Sequence, residues 1–268
     1  MKNGTFGAFM QVRAWLIQPD GTKKLVLERK HNAVGDDLIG YICYWCANLA
    51  TSKPVDHIGY KYSTTWVSAD TTNAAKSAYS TTGYQFVATA TWTNNTGSSK
   101  TITDLELTNG DRTLYSTTGY DILHYGSLTD LSIAVANGAS LQVDWTLIMS
   151  QNSSGGTTIA VTWLGYVIEL FRAAISGESV RIKYAKFIDN NGSSATVIFS
   201  DPTSGGTTSS TNVVWTVGAT APAGADTLAQ ITVYSANDVT ADDQDGFTTT
   251  WETGTVLTDT ITLTPVTM

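Results

Sequence analysis

Ile39-Gly40-Tyr41-Ile42 recurs 125 positions later as Leu164-Gly165-Tyr166-Val167, and the recurrence does not stop there. Ile58-Gly59-Tyr60 aligns with Ile182-Lys183-Tyr184, Trp92-Thr93 with Trp215-Thr216, and Thr101 to Leu107 with Thr227 to Val233. Asn137-Gly138-Ala139-Ser140-Leu141 reads onto Thr253-Gly254-Thr255-Val256-Leu257, and the alternating rows that follow end at Leu147 and Leu263. Identity is low, but the order of apolar positions persists, as it does when a folding unit is doubled. Such a chain must build a similar hydrophobic layout twice.

Each copy reads as one helix followed by strands. Leu164, Val167, Ile168, Phe171, Ala174 and Ile175 share one face at helical spacing, with Gly177 as a stop. Leu38, Ile42, Trp45 and Leu49 mark a similar stripe from Asp36 to Thr51, where Asp36 and Asp37 favour the positive end of the helix. Leu141, Val143, Trp145, Leu147 and Met149 alternate with Gln142, Asp144, Thr146 and Ile148, which predicts a strand buried on one face. A hairpin from Phe9 to Ile17 and Lys24 to Glu28, turning at Pro19-Asp20-Gly21, precedes the first copy. The Ser/Gly/Thr-rich stretch from Gln151 to Thr158 reads as a linker. The expected fold is mainly β: two tandem antiparallel β-sandwiches, Ig-like or jelly-roll, each with one packed helix. The boundaries are 1–150, a linker at 151–159, and a degenerate second copy at 160–268.

Charge narrows the function. Of 268 residues 14% are Asp, Glu, Lys or Arg, against about 25% in an average soluble domain. The net charge of −8 removes the electrostatic basis for gripping nucleic acid. Residues 1–10 lack the apolar core of a signal peptide, and the longest apolar stretch, Leu38 to Ala50, is too short to span a bilayer.

Candidate chemistry is sparse. Cys43-Tyr44-Trp45-Cys46 has redox or zinc spacing, but the second copy places Ile168 and Phe171 there, so the thiols read as core. His31, His57 and His124 lack the spacing of a zinc pair. Asp104 and Glu106 share one strand face while Leu105 and Leu107 take the other, which predicts a solvated pair. The acidic stretch from Asp238 to Gly246 holds Asp242, Asp243 and Asp245 before a glycine, yet Ala241 stands where a calcium loop needs its first ligand, so it reads as a solvated turn. Asn3, Asn94, Asn152 and Asn191 open glycosylation-type tripeptides. Trp15, Trp66, Trp163 and Trp251 could offer sugar-stacking faces or fill cores. No catalytic, cofactor-binding or metal-ligating residue is assigned, and no enzyme motif is present.

His31-Asn32-Ala33-Val34, the helix after it, and Asp56-His57-Ile58-Gly59-Tyr60 resemble the opening of a family of virion structural proteins of tailed phages and archaeal viruses. Asn94-Asn95-Thr96-Gly97, Thr101-Ile102-Thr103 and Val135 to Trp145 resemble that family's closing strands, so the likeness spans residues 7–150. Lys61-Tyr62-Ser63 departs from the family's small residues, and the second copy lacks the His-Asn opening. The resemblance implies a non-enzymatic particle component: a capsid decoration, a turret or part of a tail. Expected partners are copies of itself, other virion proteins and possible host glycans. A carbohydrate-binding adhesion module and a cellular surface-layer or filament subunit are the alternative classes.

Overall fold

The computed structural model describes residues 3–47, 53–114, 123–152, 157–173, 180–199, 206–208 and 213–267. Strands β1 (Asn3–Ile17) and β2 (Lys23–Asn32) form the opening hairpin, followed by α1 (Asp36–Ala47). Next come β3 (His57–Tyr62), β4 (Thr65–Asp70), β5 (Thr72–Asn73), β6 (Ser77–Ser80), β7 (Gly83–Thr93) and β8 (Lys100–Thr108). A short 3-10 turn (Arg112–Leu114) leads to β9 (His124–Leu128), β10 (Ile133–Val135) and β11 (Ser140–Asn152). The second half holds β12 (Thr157–Ile159), α2 (Val161–Arg172), β13 (Ile182–Asp189), β14 (Ser194–Ile198), β15 (Gly206–Thr208), β16 (Val213–Thr220), β17 (Leu228–Ser235), β18 (Thr240–Gln244) and β19 (Val256–Thr267). Among the described residues no helix is long and apolar enough to cross a membrane.

The architecture is a mainly antiparallel β-sandwich built from three sheets. A nine-stranded central sheet runs β15-β16-β19-β1-β11-β7-β5, with β2 added to β1 and β6 to β7. A first flanking sheet runs β10-β8-β3-β4 with β9 on β8, and a second runs β12-β18-β17-β13-β14. The even residues of β1 from Phe6 to Ala14 are fully buried, so one face of the central sheet is the core wall. Phe6 meets Trp163 of α2 edge-on at 5.6 Å, and the Trp145 indole N–H donates to Met10 Sδ at 2.9 Å.

The halves are joined through β1. One edge of β1 pairs antiparallel with β11 from Thr5 to Ile17. The other edge is divided: Asn3 to Ala8 pairs in parallel with Thr262 to Thr267, while Met10 to Ile17 pairs with β2. The helices cross as well. α1 packs on β9 of its own half and on β15, β16 and β19 of the other, whereas α2 packs on β18 and on β7 and β11 of the first half. Trp45 and Phe171 bring the two helices together, with ring centres 5.2 Å apart.

Hydrogen bonding repeats more faithfully than sequence. Asn94 N–H donates to Ala139 O at 2.9 Å and Gly138 N–H to Asn94 O at 2.7 Å. Ala221 N–H donates to Thr255 O at 2.8 Å and Gly254 N–H to Ala221 O at 3.2 Å, closing an equivalent turn. Gly138 and Gly254 both sit at φ +81°, where a side chain would be strained.

That anchor shifts two expected equivalences. Leu105 and Leu107 face Tyr60 and Ile58, whereas Ile231 and Val233 face Phe187 and Ala185, so Tyr60 matches Phe187 and not Tyr184. A three-residue slip along a strand exchanges its faces, and Thr-rich rows do little to forbid it by eye. Trp92 pairs with Leu141, and the partner of Leu257 is Ala219, which displaces the Trp92–Trp215 match.

Three local expectations also change. Ile148, expected on the outer face, is fully buried beside its β1 partner Phe9, whose ring packs on His31 and Tyr79. The linker's ends are strand, Gln151 within β11 and Thr157 within β12. The ends expected for the helices, Leu49 to Thr51 and Ala174 to Gly177, lie outside the described residues.

Gly83 tests the packing directly. A Cβ there would stand 2.3 Å from the Met149 carbonyl oxygen, which belongs to backbone and cannot swing aside. Gly83→Ala is expected to lose about 1–3 kcal/mol of stability by overpacking, read as a lower urea midpoint.

Candidate functional site: the charged face of the first flanking sheet

Outer side chains of β3, β4, β8 and β9 gather the densest charge in the described residues. His57 and Asp70 are direct partners across β3 and β4, so the pairing register places an imidazole beside a carboxylate. His57 Nδ1 lies 2.7 Å from Asp56 Oδ1, and Nε2 lies 3.0 Å from Asp70 Oδ1. The hydrogen bond to Asp56 raises the imidazole above its ordinary value, burial opposes it, and the charges of Asp56, Asp70 and Asp111 add to the rise. With both nitrogens within hydrogen-bonding reach of carboxylates, the pairing favours the cationic ring, in which neither nitrogen offers a lone pair to act as a base.

A second group lies beside it. Arg112 Nε donates to Glu106 Oε2 at 2.7 Å, and His124 Nδ1 stands 3.3 Å from the same oxygen. Burial pushes Glu106 up, but the bonds and charges of His124 and Arg112 outweigh it and hold the acid below its ordinary range. Trp66 roofs the pair. Its ring lies on Gly59, where an added Cβ would meet two ring carbons at 3.3 Å, and Arg112 and Lys61 stand 4.9 and 5.5 Å from its centre. Ser68 takes the Arg112 backbone N–H at 2.9 Å and hydrogen-bonds to Asp111, so it is not set against a histidine as a nucleophile would be.

Asp104 and Glu106 do point away from the core, yet they are not solvated: their side chains are 17% and 15% exposed. Lys61 reaches Asp104 at 3.3 Å and the Thr103 hydroxyl donates to it at 2.7 Å. Sequence periodicity assigned the face correctly but could not show the roof, because Trp66, Lys61 and Arg112 arrive from other elements.

The remaining sequence candidates are scattered. Cys43 and Cys46 are free thiols, each 1% exposed, in the buried stripe of α1. Burial pushes Cys43 up to about 12, and burial beside Cys43 raises Cys46 well above its ordinary value, which suppresses the thiolate that redox exchange or zinc would need. The Asp238 to Gly246 stretch is no solvated turn: residues 240–244 are strand, and Asp242 is fully buried. Its neighbours explain this, since β18 lies inside the sheet between β12 and β17. Asn94 is also fully buried, with its amide donating to Ser98 O and Val135 O, so it cannot accept a glycan without unmaking a turn. Asn191 is exposed in the β13–β14 turn, while the side chains of Asn3 and Asn152 lie outside the described residues. Trp163 and Trp251 are core, donating to Val180 O and Ala219 O. Trp15 is partly exposed, with Lys23 4.5 Å from its ring centre.

Among the described residues no three His, Cys, Asp or Glu side chains converge as a cation would require. Comparison with protein-family models, curated proteins and solved structures finds no match. The geometry therefore carries the functional reading, and it describes a face whose acids and bases neutralise one another in place.

The His57 clamp has a pH signature. A histidine raised above its ordinary 6.5 on folding stabilises fully below that value, and the contribution fades as pH rises through the folded value. The stability gap between the wild type and Asp56→Asn is expected to be larger at about pH 6 than at about pH 9, read by urea unfolding at both.

Proposed function

We propose that the chain is a non-enzymatic structural subunit on the surface of a virus particle, serving as a capsid decoration or turret protein. The observation that carries the reading is the pairing of the outward chemistry: His57 with Asp56 and Asp70, Glu106 with Arg112, Lys61 with Asp104. Groups committed to one another give a surface rigidity and leave little for turnover. The resemblance of residues 7–150 to virion structural proteins supplies the setting.

The surface also suits close packing of copies. Low charge reduces repulsion between neighbours, and β14, β15 and β4 each end a row of hydrogen-bonded strands. Strand ends of this kind are where a second chain can add by backbone pairing. Ile198 at the end of β14 is 71% exposed and lies beside Tyr184, which stacks on Tyr234 at 4.6 Å. The partners in this reading are other copies of the chain and the capsid or tail proteins beneath them.

Quantitative mass spectrometry of purified particles tests it. The expected result is this chain at a copy number matching a symmetric array, and its absence from particles would refute the assignment. A substoichiometric count at one vertex would indicate a tail or receptor-binding position, and recovery from cell envelopes a surface-layer subunit.

A further inference from the structure

Asp242 and Gln244 lie two residues apart on β18 and project to the same side. Across the ladder, Asp242 faces Val233 of β17 and Ile159 of β12, and Gln244 faces Ile231 of β17 and Thr157 of β12. Val233, Ile159 and Ile231 are core residues at 1% exposure or less, and Asp242 and Gln244 are themselves at 0%. An acid and an amide thus point into an apolar interior. Gln244 Nε2 donates to Asp242 Oδ2 at 3.0 Å, and among the described residues Asp242 Oδ1 and Gln244 Oε1 are buried with no hydrogen-bond partner.

Two buried acceptors left unsatisfied are costly, and a single proton on the carboxyl would satisfy both at once. We propose that in mildly acidic solution Asp242 is carried as the neutral acid, donating from Oδ1 to Gln244 Oε1 while accepting from Gln244 Nε2 at Oδ2, so that the pair is a proton-loaded latch that holds β18 beneath α2 and is released toward neutral pH. The latch is peculiar to the second half. In the first, Leu107 faces Gly126 and Leu105 faces Leu128, and a Cβ on Gly126 would stand 2.6 Å from Met10 Sδ. Thioether and indole fill there what acid and amide fill in the second half, so the fold alone does not require an ionisable group.

The electrostatic surroundings agree. Burial raises Asp242 to about 6; the bond from Gln244 and the backbone N–H groups of Asp243 and Thr158 pull down, and the charge of Asp243 pushes up. Asp243 sits on the opposite face and accepts from Gln230 Nε2 at 3.1 Å. Packed against β18, β17 offers Tyr234 and β12 no ionisable group, while Glu169 of α2 is tied to Arg172 and Lys76 and Arg13 of β1 to Glu28. No described cation stands ready to compensate an ionised Asp242. A divalent cation would need further oxygens that the surrounding Ile and Val do not provide.

The consequence reaches beyond β18. Among the described residues β12 pairs with β18 alone and leads directly into α2, which rests on β7 and β11 of the central sheet. Ionising Asp242 breaks the donated bond and leaves a charge in the core, loosening the support of α2. The folded acid lies above its ordinary 3.8, so the folded state holds the proton more tightly, and stability falls as pH rises between about 4 and about 6.

Two measurements on the full chain test this. In a ¹³C NMR titration of labelled aspartate carboxyls, the Asp242 carbon is expected to change well above the other aspartates; a change in the ordinary carboxylate range overturns the proposal. Asp242→Asn restores both bonds without the proton. The ratio of wild-type to Asp242→Asn folding constants is expected to fall by up to about tenfold per pH unit between about pH 4 and 6, with Asp243→Asn showing no such trend. A ratio that does not change with pH, or a rise in wild-type melting temperature on adding calcium that Asp242→Asn abolishes, contradicts it. Should Asp242→Asn not fold, the titration of the wild type decides alone.

Discussion

Backbone pairing along both edges of β1 is the constraint on which the rest of the molecule depends. β1 lies between β11 and β19, antiparallel to the first and parallel to the second. On either side the order mirrors itself, β11-β7-β5 against β19-β16-β15. A two-fold relation normal to the sheet would produce this pattern, since it reverses strand direction and leaves a central strand parallel to one neighbour and antiparallel to the other. The crossing of the helices follows the same geometry. α1 covers β16 and β19 while α2 covers β7 and β11, and each half thus completes the other's core.

That arrangement sets where polar chemistry can sit. The inner face of the central sheet is consumed by Phe6, Met10, Trp145 and the two helices. Ionisable groups gather on the outer face of the first flanking sheet, where they pair, while one, Asp242 of β18, is buried with no described cation beside it. The contrast is instructive. Glu106 is stabilised as an anion by Arg112 and His124, whereas Asp242 has no cation beside it among the described residues and burial shifts it toward the neutral acid. The first arrangement fixes side chains through ion pairs at the surface, and the proposed latch would do so through a proton in the core.

Local features were legible in the sequence. Alternation disclosed the inner row from Leu141 to Met149, the Asp36-Asp37 pair marked the start of α1, and the opening hairpin followed from Pro19-Asp20-Gly21. Long-range pairing was not legible. Nothing local tells Asn3 to Ala8 that Thr262 to Thr267 will lie alongside, because a parallel ladder joins segments without a turn to announce it. The slip from Phe187 to Tyr184 has the same origin: β rows rich in Thr and small residues fit two registers, and cross-strand partners choose between them. The site failed for a related reason. His57 meets Asp70 through register and Glu106 meets Arg112 through a turn, while Asp242 looked solvated because acidic density outweighed its place between two strands.

If β1 and the crossed helices unite the halves, the chain unfolds as one cooperative unit despite its repeated pattern. Differential scanning calorimetry of the full chain measures this most directly. A single transition is predicted, with calorimetric enthalpy equal to the van't Hoff enthalpy. Two separable transitions, each accounting for about half of the heat, would show that the halves fold independently and would contradict the account.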